Sequence, residues 1–332
     1  MTDARYDVTG IGNAIVDIIG RCDDAYLASI GATKGAMMLV GPDDVQRIYA
    51  TMGPAVEISG GSAANTIAGV ASFGGRAGFI GKVADDEFGR IFAHDIRSLG
   101  VAFNAAPVSG SAPTSRSLIL VTPDGERTMN TFLGISTDLE GSIIDEALIR
   151  DSAILYLEGY LFDRDDAKKA FRDAVKIARD AGREVALTLS DGFCVDRHRD
   201  EFKSLIKSGI SILFANENEI TSLYQKSSFD DAAAQARADC KLAVLTRSAK
   251  GSVVFANGQS IAVAAHPVAK VIDTTGAGDL YAAGFLYGYA KGLPLETCGK
   301  LASLAAAGVI SHIGARPETP LGKLARDTGL LP

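Results

Sequence analysis

Residues 6–20, YDVTGIGNAIVDIIG, are apolar and β-branched enough to predict one extended strand, broken only by Asn13 and Asp17. Those two lie four apart, and positions i and i+4 of a strand share a face, so both are expected to point the same way. Residues 34–40, KGAMMLV, predict a second short strand, and Pro42 followed by Asp43 and Asp44 predicts a helix start. Residues 58–75, ISGGSAANTIAGVASFGG, read as a glycine turn running into a small-residue helix. From residue 101 to 134 the pattern turns to β alternation in VAFNAAPV, SRSLILVT and RTMNTFLG. The Pro123-Asp124-Gly125 turn between the last two runs predicts a hairpin.

Downstream, apolar runs and helical stretches alternate. SAILYLEGY, REVALTLSD, ISILFANENE and LAVLTRS read as strands, with helices around 167–181, around Glu201 and around 230–240. Strands separated by helices imply a parallel sheet covered on both faces. GSVVFANG and QSIAVAAHPV predict a second hairpin through Asn257-Gly258, and two alanine-rich helices dominate residues 274–313. The expected architecture is α/β: one large doubly wound domain over residues 1–332 with a small β-sheet lid. The lid is discontinuous, drawn from about 14–40 and 101–131.

Composition narrows this picture. At 332 residues, with 47% hydrophobic and 22% charged positions, the chain has the usage of an ordinary globular protein rather than a disordered or fibrous one. A net charge of −7 lacks the footprint of a nucleic-acid or anionic-membrane binder, so no such partner is expected and an anionic substrate must be held locally. Cys22, Cys194, Cys240 and Cys298 are far apart without zinc-ligand spacing, and they are expected as reduced thiols in a cytoplasmic protein. Residues 1–7 carry acids and no stretch nears the roughly 20 apolar residues of a membrane span, so neither export nor membrane insertion is expected. Glycine is the outlier, 36 against 10 prolines, and it costs backbone entropy unless a turn or a close approach needs it.

The most informative glycines lie in VIDTTGAGDLYAAGFLYGYAKG, residues 271–292. A turn of Gly276, Ala277 and Gly278 at the start of a helix presents backbone N–H groups, and the helix dipole adds positive potential. That combination is an anion hole. Asp279 in the first turn is expected to stay ionised and to accept a proton from a hydroxyl. A bare Gly-x-Gly-Asp also fits an ordinary helix start. DTTGAGD together with the upstream GGSAAN at residues 60–65, however, resembles the two signatures of the ribokinase-like carbohydrate kinases, the PfkB family, over nearly the whole chain.

The resemblance implies a ribokinase-like α/β/α sandwich with a β-sheet lid, and an ATP-dependent phosphotransferase using Mg2+. It gives Asp279 the role of base, and Gly276, Ala277 and Gly278 that of anion hole. Asp17 would grip acceptor hydroxyls with Asn13 beside it, and Gly60, Gly61, Ser62 and Asn65 would complete the acceptor side. Asn216 and Glu219 match an Asn-x-x-Glu motif that organises magnesium and nucleotide phosphates, although the same spacing fits a helix capping box. Thr246 matches a nucleotide-contacting strand end, with Ser248 where many relatives have glycine and Gly251 closing the loop. Asp273 and the stretch near Gly314 correspond to a monovalent-cation site, which implies stimulation by K+. No protein side chain is assigned as a direct metal ligand.

No Walker A loop is present: GGRAGFIGK has Arg76 where the first P-loop glycine belongs, and no Gly-x-Gly-x-x-Gly follows the first strand. On the acceptor, GNAIVDI resembles adenosine kinases, whose substrate would offer its 5′-hydroxyl to Asp279. Arg127 in DGERTMN would reach the γ-phosphate on lid closure. Met37, Met38 and Leu39 are candidates for an apolar wall against a purine, and Phe132, Phe162 and Phe193 for stacking. Sugar kinases acting on ribose, fructose or ketodeoxygluconate use the same base and loops and remain the alternative. Monomer and homodimer both stay open.

Overall fold

In the computed structural model, which describes residues 4–332, the N-terminal apolar run is two strands rather than one. β1 (Tyr6–Ile11) enters a large sheet and β2 (Ile15–Arg21) a small one. Apolar periodicity carries the face of a strand, not the sheet it joins, so the crossing at residues 12–14 is invisible to it. Gly12 passes hard against Glu158, leaving no room for a Cβ.

The chain continues through α1 (Asp24–Ser29), β3 (Met37–Leu39), α2 (Pro42–Thr51), β4 (Ala55–Gly60), α3 (Ser62–Ser72), β5 (Ala77–Ile80), α4 (Glu87–Ser98), β6 (Ser115–Val121) and β7 (Arg127–Phe132). It then alternates: α5 (Glu146–Arg150), β8 (Ser152–Glu158), α6 (Asp165–Asp180), β9 (Glu184–Thr188), α7 (Gly192–Gly209), β10 (Ile212–Asn216), α8 (Glu217–Tyr224), α9 (Phe229–Asp239) and β11 (Leu242–Thr246). The hairpin β12 (Ser252–Ala256) and β13 (Gln259–Val263) precedes α10 (Ala277–Ala290), α11 (Leu295–Val309) and α12 (Leu321–Asp327).

Among the described residues, eight strands form the large sheet in the order β13-β12-β11-β10-β9-β8-β1-β5. All its pairs from β5 to β11 are parallel, and β12 and β13 close it antiparallel. Helices cover both faces. Along β8, Ile154 and Tyr156 join the core under α3, α10 and α11, whereas Leu155 and Leu157 join the core under α6 and α7. α6 shows why it docks: Ala167, Ala170, Phe171, Ala174, Val175 and Ala178 recur at helical spacing and are the residues it buries. Both predicted hairpins form, the second through Asn257 and Gly258 at φ 51 and 76, the two positive values a type I′ turn needs.

The small sheet has the order β3-β7-β6-β2-β4 and lies over the carboxyl ends of the large one. It includes β4, which falls outside the ranges 14–40 and 101–131. Residues 101–108 contribute no lid strand; they make single bridges, Ala102 to Gly78 and Val108 to Ala84, along the β5 side of the large sheet. α1, β4, β5, α4, α5 and α12 were not anticipated from the pattern. No disulfide joins the four cysteines, and among the described residues no helix is long and apolar enough to cross a membrane.

Candidate active site

A cleft of about 380 Å3 lies between the lid and the carboxyl ends of the large sheet. Three sets of residues face it: Asp17, Ser117, Met129 and Met37 from the lid, Gly61, Ser62 and Asn65 from the β4–α3 turn, and residues 274–279 at the start of α10. Strand ends supply Thr188, Asn216 and Thr246, as expected for a parallel sheet whose ligands bind outside its carboxyl edge. A larger cavity of about 490 Å3 beside β5 contains neither glycine turn.

Gly276 caps α10 at φ 76, in the left-handed region, and Ala315 fills the space a side chain there would need. The first-turn N–H groups of α10 have no partners within the helix. Ala277 differs from the expectation of three free amides, because its N–H closes the loop onto the Thr274 carbonyl at 3.2 Å. Asp279 accepts from Ser62 Oγ at 2.7 Å on Oδ1 and from Asn65 Nδ2 at 3.0 Å on Oδ2. Burial nevertheless pushes its carboxyl up to about 6, against the pull of those two donors and of Arg316. The helix start alone suggests an ordinary, fully ionised aspartate; enclosure of the site overrides that.

On the lid side of the cleft, Asp17 lies on β2 opposite Ser117 of β6 and Ile58 of β4. Its carboxylate rests on Gly60, where any Cβ would overlap it, so Gly60 supports Asp17 without itself lining the cleft. Burial also raises Asp17 to about 6; Arg316 and Arg127 oppose the rise and Asp279 adds to it. Asn13 is not beside Asp17. It sits buried in the crossing between sheets, where its N–H and Nδ2 donate to Glu158 Oε1 at 2.7 and 2.5 Å and its Oδ1 accepts from Ser136 Oγ at 2.8 Å. The shared-face expectation fails because Asn13 is not in the strand. Asn65 is divided: Nδ2 serves Asp279, and Oδ1 is buried without a protein partner.

At the strand ends, Asn216 and Glu219 form a full capping box at the start of α8 and also line the cleft. Glu219 is pushed up to about 7 by burial and by the charges of Asp191 and Asp279. A buried carboxylate among like charges fits a hydrated divalent cation, which keeps most of its waters and takes few protein oxygens. Thr246 faces the cleft; Ser248 and Gly251, at φ 50 and 82, shape the following turn and do not.

Arg127 is not directed at the cleft. Its guanidinium pairs with the buried Asp273, whose carboxylate also accepts from Thr275 N–H at 2.9 Å and Gly314 N–H at 2.9 Å. With a guanidinium and two N–H donors on it, Asp273 does not fit the K+ site implied by resemblance. Arg127 Nε and Nη2 are buried without hydrogen-bond partners.

Of the three stacking candidates, Phe132 and Phe162 are core residues, Phe162 stacking on Phe202, and Phe193 is 80% exposed. Tyr160, Phe214 and Tyr281 supply the aromatic lining instead. Met37 lines the cleft with Met129, whereas Met38 and Leu39 do not. Two charged residues behind the cleft went unread in the sequence: the buried Glu158, which no glycine turn flags, and the half-buried Arg316, whose only signal is its place two residues after Gly314.

Comparison with known proteins agrees with this geometry. A family model described as pfkB family carbohydrate kinase matches residues 24–321. The crystal structure of adenosine kinase from Sinorhizobium meliloti is 53% identical and superposes with a TM-score of 0.91, covering 98% of this chain and 100% of that one. The structure of a probable sugar kinase from Rhizobium etli CFN 42 is 49% identical with a TM-score of 0.92, covering 99% and 100%. Probable fructokinase-6, chloroplastic, from Arabidopsis thaliana is 31% identical over 245 residues, 71% of this chain and 63% of the relative.

Proposed function

The chain belongs to the pfkB family of carbohydrate kinases, with a ribokinase-like α/β fold, and within it we propose that it transfers the γ-phosphate of ATP to the 5′-hydroxyl of adenosine or a related nucleoside. One observation carries the reading: Asp279, in the first turn of α10 behind Gly276, shares one cleft with Asp17 and a Met37 and Met129 wall. Thioethers pack adaptably on a flat ring, which suits a purine better than a small polyol. The 53% identity to an adenosine kinase over nearly the whole chain supports the same choice.

In this reading Asp17 holds the ribose hydroxyls and Asn65 Oδ1 takes a hydrogen bond from the acceptor. The acceptor oxygen forms a bond to γ-phosphorus as the bond to the β–γ bridging oxygen breaks, and ADP leaves. The hydroxyl proton passes to the Asp279 carboxylate. A carboxyl near 6 is a better base than an ordinary aspartate, yet too weak to ionise an alcohol beforehand, so proton transfer accompanies or follows phosphoryl transfer. Gly276 and Gly278 N–H groups face the transferred charge, and Arg127 joins them if it leaves Asp273. Mg2+, held through water by Glu219 and Asn216, would neutralise phosphate charge. A reducing, cytoplasmic setting suits the four thiols.

A free sugar is the second reading, favoured by the fructokinase relative. A coupled assay over adenosine, inosine, guanosine, cytidine, ribose, fructose and ketodeoxygluconate separates them; turnover on free sugars alone overturns the nucleoside reading. Asp279→Asn is expected to lower kcat by about 10²–10⁴. Asp17→Ala is expected to act on the acceptor KM instead.

A further inference from the structure

The reaction as proposed gives no task to Arg316, a half-buried cation beside the glycine turn at residues 60–61. Arg316 lies in the loop between α11 and α12, outside any helix or strand. Its Nε and Nη2 donate to the Ser59 carbonyl at 2.9 and 2.7 Å, Nη2 also donates to Ser59 Oγ at 2.9 Å, and Nη1 donates to the Ala64 carbonyl at 2.9 Å. Ser59 immediately precedes the Gly60-Gly61 turn. Ala64 lies between Ser62 and Asn65, the two residues that hold Asp279. The fork therefore grips both ends of the turn that presents the acceptor side of the site. A planar guanidinium is suited to this, because its donors are fixed in relation to one another.

The same loop seats the phosphate side. Gly314 N–H donates to Asp273 Oδ2, and Ala315 packs where a side chain on Gly276 would go. From the third direction, Asp95 of α4 accepts from Ser59 N–H at 2.9 Å and Oγ at 2.5 Å. We infer that residues 314–316 are a strap joining the acceptor turn to the anion loop, with Arg316 as a positioning residue that holds Ser62, Asn65 and Asp279 in register.

This rests on the kinase reading for its catalytic consequence only. The carboxylates in the field of Arg316 are Asp17 on β2, Asp95 on α4 and Asp279 on α10. Arg127 is the second cation acting on Asp17, and Glu158 and Glu219 share the field of Asp279. Burial pulls Arg316 down to about 10, so it stays charged at neutral pH and favours the ionised forms of Asp17 and Asp279.

The test uses Arg316→Gln and Arg316→Lys in the full chain. Amide hydrogen exchange on the ligand-free protein is expected to quicken together at residues 59–66 and 274–279 in both variants. In Arg316→Gln, kcat on the wild-type acceptor is expected to fall at least tenfold while KM for ATP stays within twofold, and the acidic limb of kcat/KM moves to higher pH. In Arg316→Lys the limb stays, because the charge is kept, while kcat still falls as the fork is lost. Unchanged exchange at both segments, or a lowered kcat in a folded Arg316→Gln with an unmoved acidic limb, overturns the proposal. If the Gln variant does not fold, Lys decides: unchanged exchange and kcat sink it. A wild type that phosphorylates no acceptor overturns the functional reading, while the exchange experiment still decides the strap.

Discussion

Two aspartates in one cleft, Asp17 and Asp279, are both pushed up to about 6 by burial, and each raises or feels the charge of its surroundings. The sign for activity follows directly. In the proposed reaction Asp279 must be ionised to take a proton, so kcat/KM is expected to be level above about pH 7 and to fall tenfold per unit as the pH drops below about 6. An ordinary aspartate would put that fall near 4. A pH–rate profile of wild type checks this, and an acidic limb below pH 5 contradicts it. At this scale the sequence was most informative where glycine marks a close approach. Gly60, Gly61 and Gly276 pointed to the site because the physics that requires them is local. Arg316 did not, because its partner Ser59 is far along the chain and only the fold brings them together.

At the scale of elements, the hairpins at Pro123-Asp124-Gly125 and Asn257-Gly258 were legible because turn chemistry is written in two or three residues. The division of residues 6–21 into β1 and β2 was not, since both strands are apolar and only the partners differ. That misreading placed Asn13 beside Asp17, where the structure uses it to anchor Glu158. The turn into α10 carries the clearest prediction. Gly276→Ala forces a left-handed backbone on a residue with a Cβ and drives that Cβ into Ala315. It is expected to cost about 1–3 kcal/mol in unfolding free energy and to lower kcat more than either KM. Chemical denaturation and steady-state kinetics measure the two effects.

Over the whole molecule, the lid and the body meet through a buried ion pair, Arg127 on β7 with Asp273 ahead of α10. Removing one partner strands the other, so Arg127→Met is expected to lower stability by about 3 kcal/mol. A double-mutant cycle with Asp273→Asn is expected to give a coupling of about 1–3 kcal/mol, and a coupling near zero would mean the pair does not tie the lid down. The order of strands has another consequence. From β8 to β13 each strand lies beside the one made just before it, so that these six of the eight strands can assemble as the chain emerges from the ribosome. β1 is different, because Tyr6 pairs with Ser152, and the sheet it joins to β5 must wait for the intervening chain. At roughly 5–20 residues per second that delay is about 7–30 s. Until then β1 has at most β5 for a neighbour, itself made some 70 residues later, and the edge that β8 will cover stands open to a chaperone or to another nascent chain.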